Sequence, residues 1–233
     1  MPETRALLFL TCLILGGCTK SDSEAANPAA AEPTPHRTVA KPAQDQRPVI
    51  VALGDSLSEG LGVEPGQSFP DQLQRKLDAG GYSYRVVNLG VSGDTTTGGV
   101  GRIDYAASLN PAIVILELGG NDGLRGIPVA STKQNLETMI VRMKKAGSAV
   151  LLAGMTLPPN YGETYIRNFE KAYQDLAVRH SVPLIPFLME DIRSRLASTP
   201  SLMQRDGIHP TAQGHTVIAE TVFRYLKPML KKG

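Results

Sequence analysis

Three observations on the sequence predict one three-layer α/β domain that is built on a parallel sheet. Five short apolar runs with strand character recur along the chain from Arg47 onward. Amphipathic stretches of helical length separate these runs. No long polar gap interrupts the alternation, and alternating strands and helices are typical of crossover connections that cover both faces of a parallel sheet.

The five predicted strands consist of continuous Val, Ile and Leu runs, as expected of strands that are covered on both faces. They span residues 48–53, 84–89, 112–118, 149–155 and 182–187. In such folds ligands bind beyond the carboxyl ends of the strands. We therefore expect the functional residues in the loops that begin at Gly54, Gly90, Gly119, Thr156 and Phe187.

Four predicted helices complete the alternation. They span residues 70–81, 132–147, 164–180 and 211–230. The second shows the pattern most clearly, because Leu136, Met139, Ile140 and Met143 recur at helical spacing and a glycine follows.

The amino-acid composition excludes some classes of function. The 233 residues carry 24 basic and 22 acidic side chains, a net charge of +2, and no Trp. No basic patch with interleaved aromatic residues is present, so the sequence predicts no nucleic-acid partner. It shows no coiled-coil pattern either, and we expect a monomer.

The N-terminus is predicted to be separate from the domain. Residues 6–17 are apolar but too short to span a bilayer comfortably, and they have the length of a signal-peptide core. The following "LGGC", which ends at Cys18, resembles a bacterial lipoprotein signal. The resemblance implies cleavage before Cys18, acylation of that cysteine and, because Thr19 rather than Asp follows it, an outer-membrane anchor facing the periplasm. The alternative is a plain secretory signal with an incidental cysteine.

These features divide the chain into a signal peptide (1–17), a lipidated cysteine with a disordered Ala/Pro-rich tether (18–46) and the α/β domain (47–233). Cys12 and Cys18 are the sole cysteines. The domain therefore contains no disulfide, no thiol nucleophile and no cysteine-based metal site. No other cluster has metal-ligand spacing, and the sequence predicts no metal and no cofactor.

The loops after the predicted strands carry the residues needed for acyl transfer. Ser56, in "GDSLS", lies where the first strand turns into a helix. A serine nucleophile needs a base and a group that orients the base. His209 and Asp206, three residues apart in "DGIHP", supply these groups, since the spacing lets the carboxylate reach the imidazole across one turn.

An acyl-transfer site also needs hydrogen-bond donors for the oxyanion. The candidates are the backbone N–H groups of Ser56 and Gly93 and the side-chain amide of Asn121, which follow the first, second and third strands. The order Ser, Asp, His is that of α/β-hydrolases, yet the chain has no G-x-S-x-G elbow.

The four blocks "GDSLS", "SGD", "GGND" and "DGIH" resemble those of the GDSL or SGNH hydrolases. The resemblance covers the chain from about Val49 to Leu230. It implies a flavodoxin-like fold with strand order 2-1-3-4-5. It also implies that Ser56 is the nucleophile, that Asp206 and His209 complete a catalytic triad, and that Ser56, Gly93 and Asn121 form the oxyanion hole.

Several stretches, including "LELGGNDGLRG" and "LPPNYGETY", are similar to one branch of that family, the periplasmic esterases that act as acyl-CoA thioesterase, arylesterase and lysophospholipase. This resemblance implies hydrolysis of acyl esters, thioesters or lysophospholipids through an acyl-enzyme. The segment 123–128 resembles a mobile loop that lines the acyl site in that branch, with Leu124 and Ile127 as apolar contacts and Pro128 stiffening its exit.

Two other functions remain open at the level of the sequence. One is a carbohydrate acetylesterase of the same superfamily, and the other is a non-catalytic envelope lipoprotein that binds acyl groups. Five further residues are expected to have structural roles. We expect Asp55 to turn away from the oxyanion and cap loop N–H groups, Asp94 and Asp122 to order loops, and His180 and His215 to be ordinary surface or helix residues.

Overall fold

The structure is a computed structural model that describes residues 45–232. The predicted signal peptide, Cys18 and nearly all of the predicted tether lie outside the described residues. No helix among residues 45–232 is long and apolar enough to cross a membrane.

The fold is organised around a five-stranded, all-parallel sheet with strand order β2-β1-β3-β4-β5. The strand pattern of the sequence predicted a five-stranded parallel sheet, and the family resemblance implied this strand order; both are confirmed. The strands are β1 (Val49–Gly54), β2 (Arg85–Gly90), β3 (Ile113–Glu117), β4 (Ala149–Ala153) and β5 (Leu184–Ile185). The central strands β1 and β3 are completely buried, whereas β2 at the edge is half-buried.

Nine α-helices connect and flank the strands. They are α1 (Ser56–Glu59), α2 (Phe69–Ala79), α3 (Thr96–Gly101), α4 (Ile103–Ser108), α5 (Gly120–Leu124), α6 (Val129–Lys145), α7 (Glu163–His180), α8 (Glu190–Arg195) and α9 (Ala212–Leu226), all within residues 45–232. Helices α2, α8 and α9 pack together, and α3, α4, α6 and α7 form a second group. The α/β architecture is therefore the predicted one.

The long helices begin within three residues of the predicted positions, and a helix was expected to follow the first strand at Ser56, but the short helices α3, α4, α5 and α8 were not predicted. Helices α1, α3, α4, α5 and α8 have four to six residues each, which is too short for a hydrophobic period to emerge. Two of them, α1 and α5, start directly after β1 and β3. Two of the five predicted reactive loops, those after β1 and β3, thus begin as short helices at the carboxyl edge of the sheet.

His215 is a helix residue, as expected, but it is completely buried. It lies on α9 where this helix packs against α2, and its Nδ1 accepts a hydrogen bond from the Phe69 N–H at 3.2 Å. The proton of the neutral ring is therefore on Nε2, which is buried and has no partner among the described residues. Burial, with a smaller contribution from His209, lowers the pKa of His215 to about 4.

We predict that His215 makes the fold sensitive to acid. The folded state holds the ring neutral, and its pKa lies below the ordinary value of 6.5. The stabilising effect is therefore complete above pH 6.5 and is lost as the pH falls from 6.5 through about 4, by up to about 3 kcal/mol. Denaturant unfolding at several pH values should show a shallower decline for His215→Gln than for the wild type. Equal slopes would show that another group causes the acid sensitivity.

Candidate active site

Ser56 lies at the sharp junction between β1 and α1. Asp55 caps the helix by accepting the Leu57 N–H at 3.0 Å, and Ser56 is the first helical residue. The first N–H groups of a helix have no helical partner, so the Ser56 N–H is not used by the hydrogen bonds of α1. Gly54 makes the junction possible, because a Cβ there would lie 2.0 Å from Ser58 Oγ and 2.2 Å from Glu117 Oε2.

The structure brings Ser56, His209 and Asp206 into one hydrogen-bonded series. Ser56 Oγ lies 2.9 Å from His209 Nε2, and His209 Nδ1 lies 2.6 Å from Asp206 Oδ2. The two residues on the loop before α9 are therefore placed against the junction after β1, 153 residues away in sequence. With the ring proton on Nδ1, Nε2 is free to accept the serine proton.

Asp206 is held as a charged group although its side chain is 44% exposed. Its Oδ1 accepts the N–H groups of Ile208 and His209 at 2.9 and 3.0 Å. These hydrogen bonds, together with that from the His209 ring, lower the pKa of Asp206 to about 2. The carboxylate therefore stays ionised and fixes the orientation of the imidazole throughout the neutral range.

The three candidate oxyanion donors lie at the ends of neighbouring strands. Asn121 is on α5, directly beyond β3, and lines the same cavity as Ser56 and His209. Gly93 lies in the turn after β2 with φ of +78°, a left-handed conformation that favours glycine. That turn is fixed to the serine junction, because the Ser92 N–H donates to Glu59 of α1 at 2.7 Å.

A buried pair of carboxyl groups supports this arrangement. Asp55 Oδ2 accepts the Asn121 amide at 3.1 Å, and Glu117 Oε2 accepts the Asp55 N–H at 3.2 Å and the Ser58 hydroxyl at 2.6 Å. Burial raises the pKa of Asp55 to about 6 and that of Glu117 still further above its usual range. Around neutral pH the pair therefore holds one proton on Glu117 and one negative charge on Asp55, and that charge orients the Asn121 amide.

An apolar cavity of about 740 Å³ opens beside Ser56. It is lined by aliphatic, aromatic and methionine side chains from beyond β1, β3, β4 and β5, namely Leu57, Leu124, Met155, Leu157, Phe187, Met189, Ile192, Leu196, Met203 and Ile208. A cavity of this size and polarity is suited to a hydrocarbon chain.

The structure separates the three residues that were expected to contact the acyl group. Leu124 lines the cavity, but Ile127 and Pro128 are not among its lining residues. The Ile127 carbonyl instead accepts the Tyr165 hydroxyl at 2.8 Å, and Pro128 immediately precedes α6. The segment 123–128 therefore touches the cavity through its first residues, while its last residues join α6 and α7.

The remaining polar residues of the loops have structural roles. Asp94 pairs with Arg102 at 2.7 Å, and the buried Asp122 accepts the Thr96 N–H at 2.8 Å, so both order loops as predicted. Asp55 caps α1, as expected, but it also contacts the candidate oxyanion donor. Among residues 45–232, no three His, Cys, Asp or Glu side chains come together in a way that could hold a metal ion.

Glu117 was not predicted to belong to the site. A signal was present, because a lone carboxylate interrupts the apolar run "AIVILEL" that was predicted to be a buried strand. A buried charge is costly unless it is partnered or neutralised. Such a residue at the end of a central strand marks a polar network, and the structure shows that the network belongs to the site.

Comparison with known proteins identifies the class. Residues 52–217 match the model of the GDSL-like Lipase/Acylhydrolase family. The chain therefore belongs to this family, and it is a hydrolase of carboxylic esters.

The chain is also similar to individual proteins whose names are known. The chain is 42% identical to "Esterase TesA" of Pseudomonas aeruginosa over 78% of its own length and 89% of that protein. It is 37% identical to "Thioesterase 1/protease 1/lysophospholipase L1" of Escherichia coli strain K12, over 78% and 84% of the two chains. A structure of the psychrotrophic esterase EstA from Pseudoalteromonas sp., inhibited by monoethylphosphonate, matches with a TM-score of 0.72 and 31% identity over 78% of this chain and 97% of that one.

Substitution of each member of the carboxyl pair, Asp55 and Glu117, tests whether the pair orients Asn121. Asp55→Asn has one acceptor oxygen for two donors, the Leu57 N–H and the Asn121 amide, so Asn121 loses its fixed orientation. We expect kcat to fall about 10- to 100-fold with little change in KM, because an oxyanion donor acts mainly on the developing charge. Glu117→Gln keeps a neutral side chain with an acceptor oxygen, and its kcat should remain within about threefold of the wild type.

Steady-state kinetics on an aryl ester, with circular dichroism to check folding, measure both effects. A folded Asp55→Asn protein with full kcat would show that the pair does not orient Asn121. A large loss of kcat in folded Glu117→Gln would show that Glu117 acts as a charged carboxylate.

Proposed function

We propose that this protein is a serine hydrolase that cleaves acyl esters and thioesters through a covalent acyl-enzyme. The observation that carries the proposal is the hydrogen-bonded series in which Ser56 Oγ lies 2.9 Å from His209 Nε2 and His209 Nδ1 lies 2.6 Å from Asp206. A serine hydroxyl needs a general base, and the base needs a group that fixes its tautomer. All three groups are present with hydrogen-bonding geometry.

In the first half-reaction, Ser56 Oγ attacks the acyl carbonyl carbon while its proton moves to His209 Nε2. The resulting imidazolium is stabilised by Asp206, which does not take up the proton. When the tetrahedral intermediate collapses, the bond to the leaving oxygen or sulfur breaks and His209 donates its proton to that atom. In the second half-reaction, His209 activates a water molecule, which attacks the acyl-Ser56 ester and releases the carboxylic acid.

In this proposal three donors bind the oxyanion of each tetrahedral intermediate. These are the Ser56 N–H at the start of α1, the Gly93 N–H in the turn after β2 and the Asn121 Nδ2 amide. The N-terminus of a helix also favours negative charge. The Asp55 carboxylate does not compete with the oxyanion, because its oxygens already accept the Leu57 N–H and the Asn121 amide.

The apolar cavity supports a hydrocarbon acyl group as the part of the substrate that is bound. Each buried methylene adds about 0.8 kcal/mol, roughly fourfold in kcat/KM, so medium or longer acyl chains should be preferred over acetate. Relatives named as an esterase and as a thioesterase and lysophospholipase support acyl esters, thioesters and lysophospholipids as the substrate class.

We also propose that the chain is anchored to the outer membrane, facing the periplasm, through an acylated Cys18. The support is the "LGGC" sequence after an apolar segment of signal-peptide length. The anchor would place the enzyme beside lysophospholipids. Mass spectrometry of the mature N-terminus tests this proposal, since an unmodified residue upstream of Cys18 would exclude it.

The proposed mechanism predicts different outcomes for two histidines that are both paired with a carboxylate. His209 contacts Ser56, whereas His180 lies 2.9 Å from Glu137 on α6 and has no place in the proposed site. Ser56→Ala and His209→Ala should each lower kcat by about 10⁴-fold or more, and His180→Ala should leave it within about twofold. Hydrolysis of p-nitrophenyl butyrate measures all three. A Ser56→Ala protein that retains a tenth of the activity would refute the nucleophile.

The cavity lining predicts that two neighbouring apolar residues contribute unequally to acyl selectivity. Leu124 lines the cavity, and Ile127 does not. Leu124→Ser should therefore reduce the ratio of kcat/KM for octanoate over acetate esters by about 5- to 30-fold, in line with the loss of a buried apolar side chain. Ile127→Ser should change this ratio less than twofold. Equal effects of the two substitutions would contradict the cavity as the acyl site and favour an acetylesterase.

A further inference from the structure

The cavity runs along the carboxyl edge of the sheet, away from Ser56. Its lining starts with Ser56 beyond β1 and continues with Asn121 beyond β3, Leu157 beyond β4 and Phe187 beyond β5. In the observed order β1 and β5 are three strand spacings apart. Since neighbouring strands lie about 4.8 Å apart, the carboxyl ends of β1 and β5 are about 14 Å apart along the sheet, and the cavity is lined by residues that follow both strands.

The far end carries a positive charge. Arg193, on the short helix α8, lines the cavity, and its guanidinium carbon lies 4.9 Å from the centre of the Phe187 ring. Stacking on an aromatic face restricts a long side chain that would otherwise sample many rotamers. Among the described residues that line the cavity, Arg193 is the one basic side chain besides His209.

The charge of Arg193 is not neutralised within the part of the chain that the structure describes. No carboxylate lies within ion-pair distance of it, whereas the other arginines around α8 are paired: Arg195 with Glu220 at 3.7 Å, and Arg224 with Glu190 and Asp191 at 2.7 and 2.9 Å. The two acidic residues of α8 therefore face α9, away from the cavity. An exposed, uncompensated guanidinium remains at the end of an apolar cavity.

We propose that Arg193 selects acyl chains that end in an anionic group, with an ω-carboxylate as the substrate class. A planar guanidinium is matched to a carboxylate, and an apolar cavity with a cation at its far end is complementary to a hydrocarbon chain with a terminal negative charge. An extended chain advances roughly 1.2 Å per bond, so about 14 Å corresponds to a chain of about ten to twelve carbons. The inference rests on the proposed function, because it takes Ser56 as the acyl acceptor.

The test compares three aryl esters. They are p-nitrophenyl decanoate, the mono-p-nitrophenyl ester of decanedioic acid, and 3-carboxy-4-nitrophenyl decanoate, whose negative charge lies on the leaving group. The measured quantity is the ratio of kcat/KM for each charged ester to that for the uncharged one. Arg193→Gln is the test variant, and Arg195→Gln is its matched control, because Arg195 is on the same helix but faces Glu220.

We expect Arg193→Gln to lower the ratio for the dicarboxylic ester about fivefold and to leave the ratio for the leaving-group anion unchanged, while Arg195→Gln changes neither ratio. A fivefold change is the size expected of a partly exposed charge pair, and it should shrink at high salt. The inference would be overturned if Arg193→Gln left the ratio for the dicarboxylic ester unchanged, or if Arg195→Gln lowered that ratio equally. It would also be overturned if Arg193→Gln lowered the ratio for the leaving-group anion instead. If Ser56→Ala hydrolyses all three esters as the wild type does, the proposed function itself fails, which is a distinguishable result.

Discussion

The hydrogen bond between Asp55 and Asn121 is the interaction on which the geometry of the site depends. It joins the junction after β1 to the helix after β3, at 3.1 Å, and its Asp55 end is buried whereas its Asn121 end is partly buried at the cavity. A charged Asp55 is tolerated there because Glu117 is neutral and because the Leu57 N–H and the Asn121 amide are directed at the carboxylate. Because Glu117 keeps its proton, Asp55 can carry a negative charge although it is buried. The charged Asp55 carboxylate in turn fixes the direction of the Asn121 amide, which lines the cavity.

The parallel sheet makes this network possible, because the carboxyl ends of β1, β2 and β3 meet at one edge. Each strand delivers one component: the serine junction, the Gly93 turn and Asn121. His209 and Asp206 arrive from a loop before α9 and stay partly exposed, in contrast to the buried carboxyl pair. The candidate site therefore combines a buried carboxyl pair, one member of which contacts the candidate oxyanion donor Asn121, with a candidate base that is partly exposed.

The sequence predicted the strand number, the strand boundaries within a few residues, and the residues that meet at the carboxyl edge, because these depend on local periodicity and on loops that follow buried strands. It predicted that a helix begins at Ser56, but it did not predict the short helices α5 and α8, whose five and six residues carry no hydrophobic period. Nor did it predict that Glu117 would support Asp55, that Ile127 would face Tyr165 rather than the cavity, or that Arg193 would lie at the end of the cavity. Each of these depends on contacts between residues distant in sequence, which spacing does not encode.

We propose that Ser56 Oγ attacks the acyl carbon while the oxyanion faces Asn121 and Gly93. The most direct measurement is a crystal structure of the protein after reaction with an alkyl phosphonate ester, which mimics the tetrahedral intermediate. We expect a covalent bond from Ser56 Oγ to phosphorus, a phosphoryl oxygen about 2.7–3.1 Å from Asn121 Nδ2 and the Gly93 nitrogen, and the alkyl chain in the cavity beside Leu124. Phosphorus bound to another residue, or a phosphoryl oxygen directed away from Asn121, would contradict it.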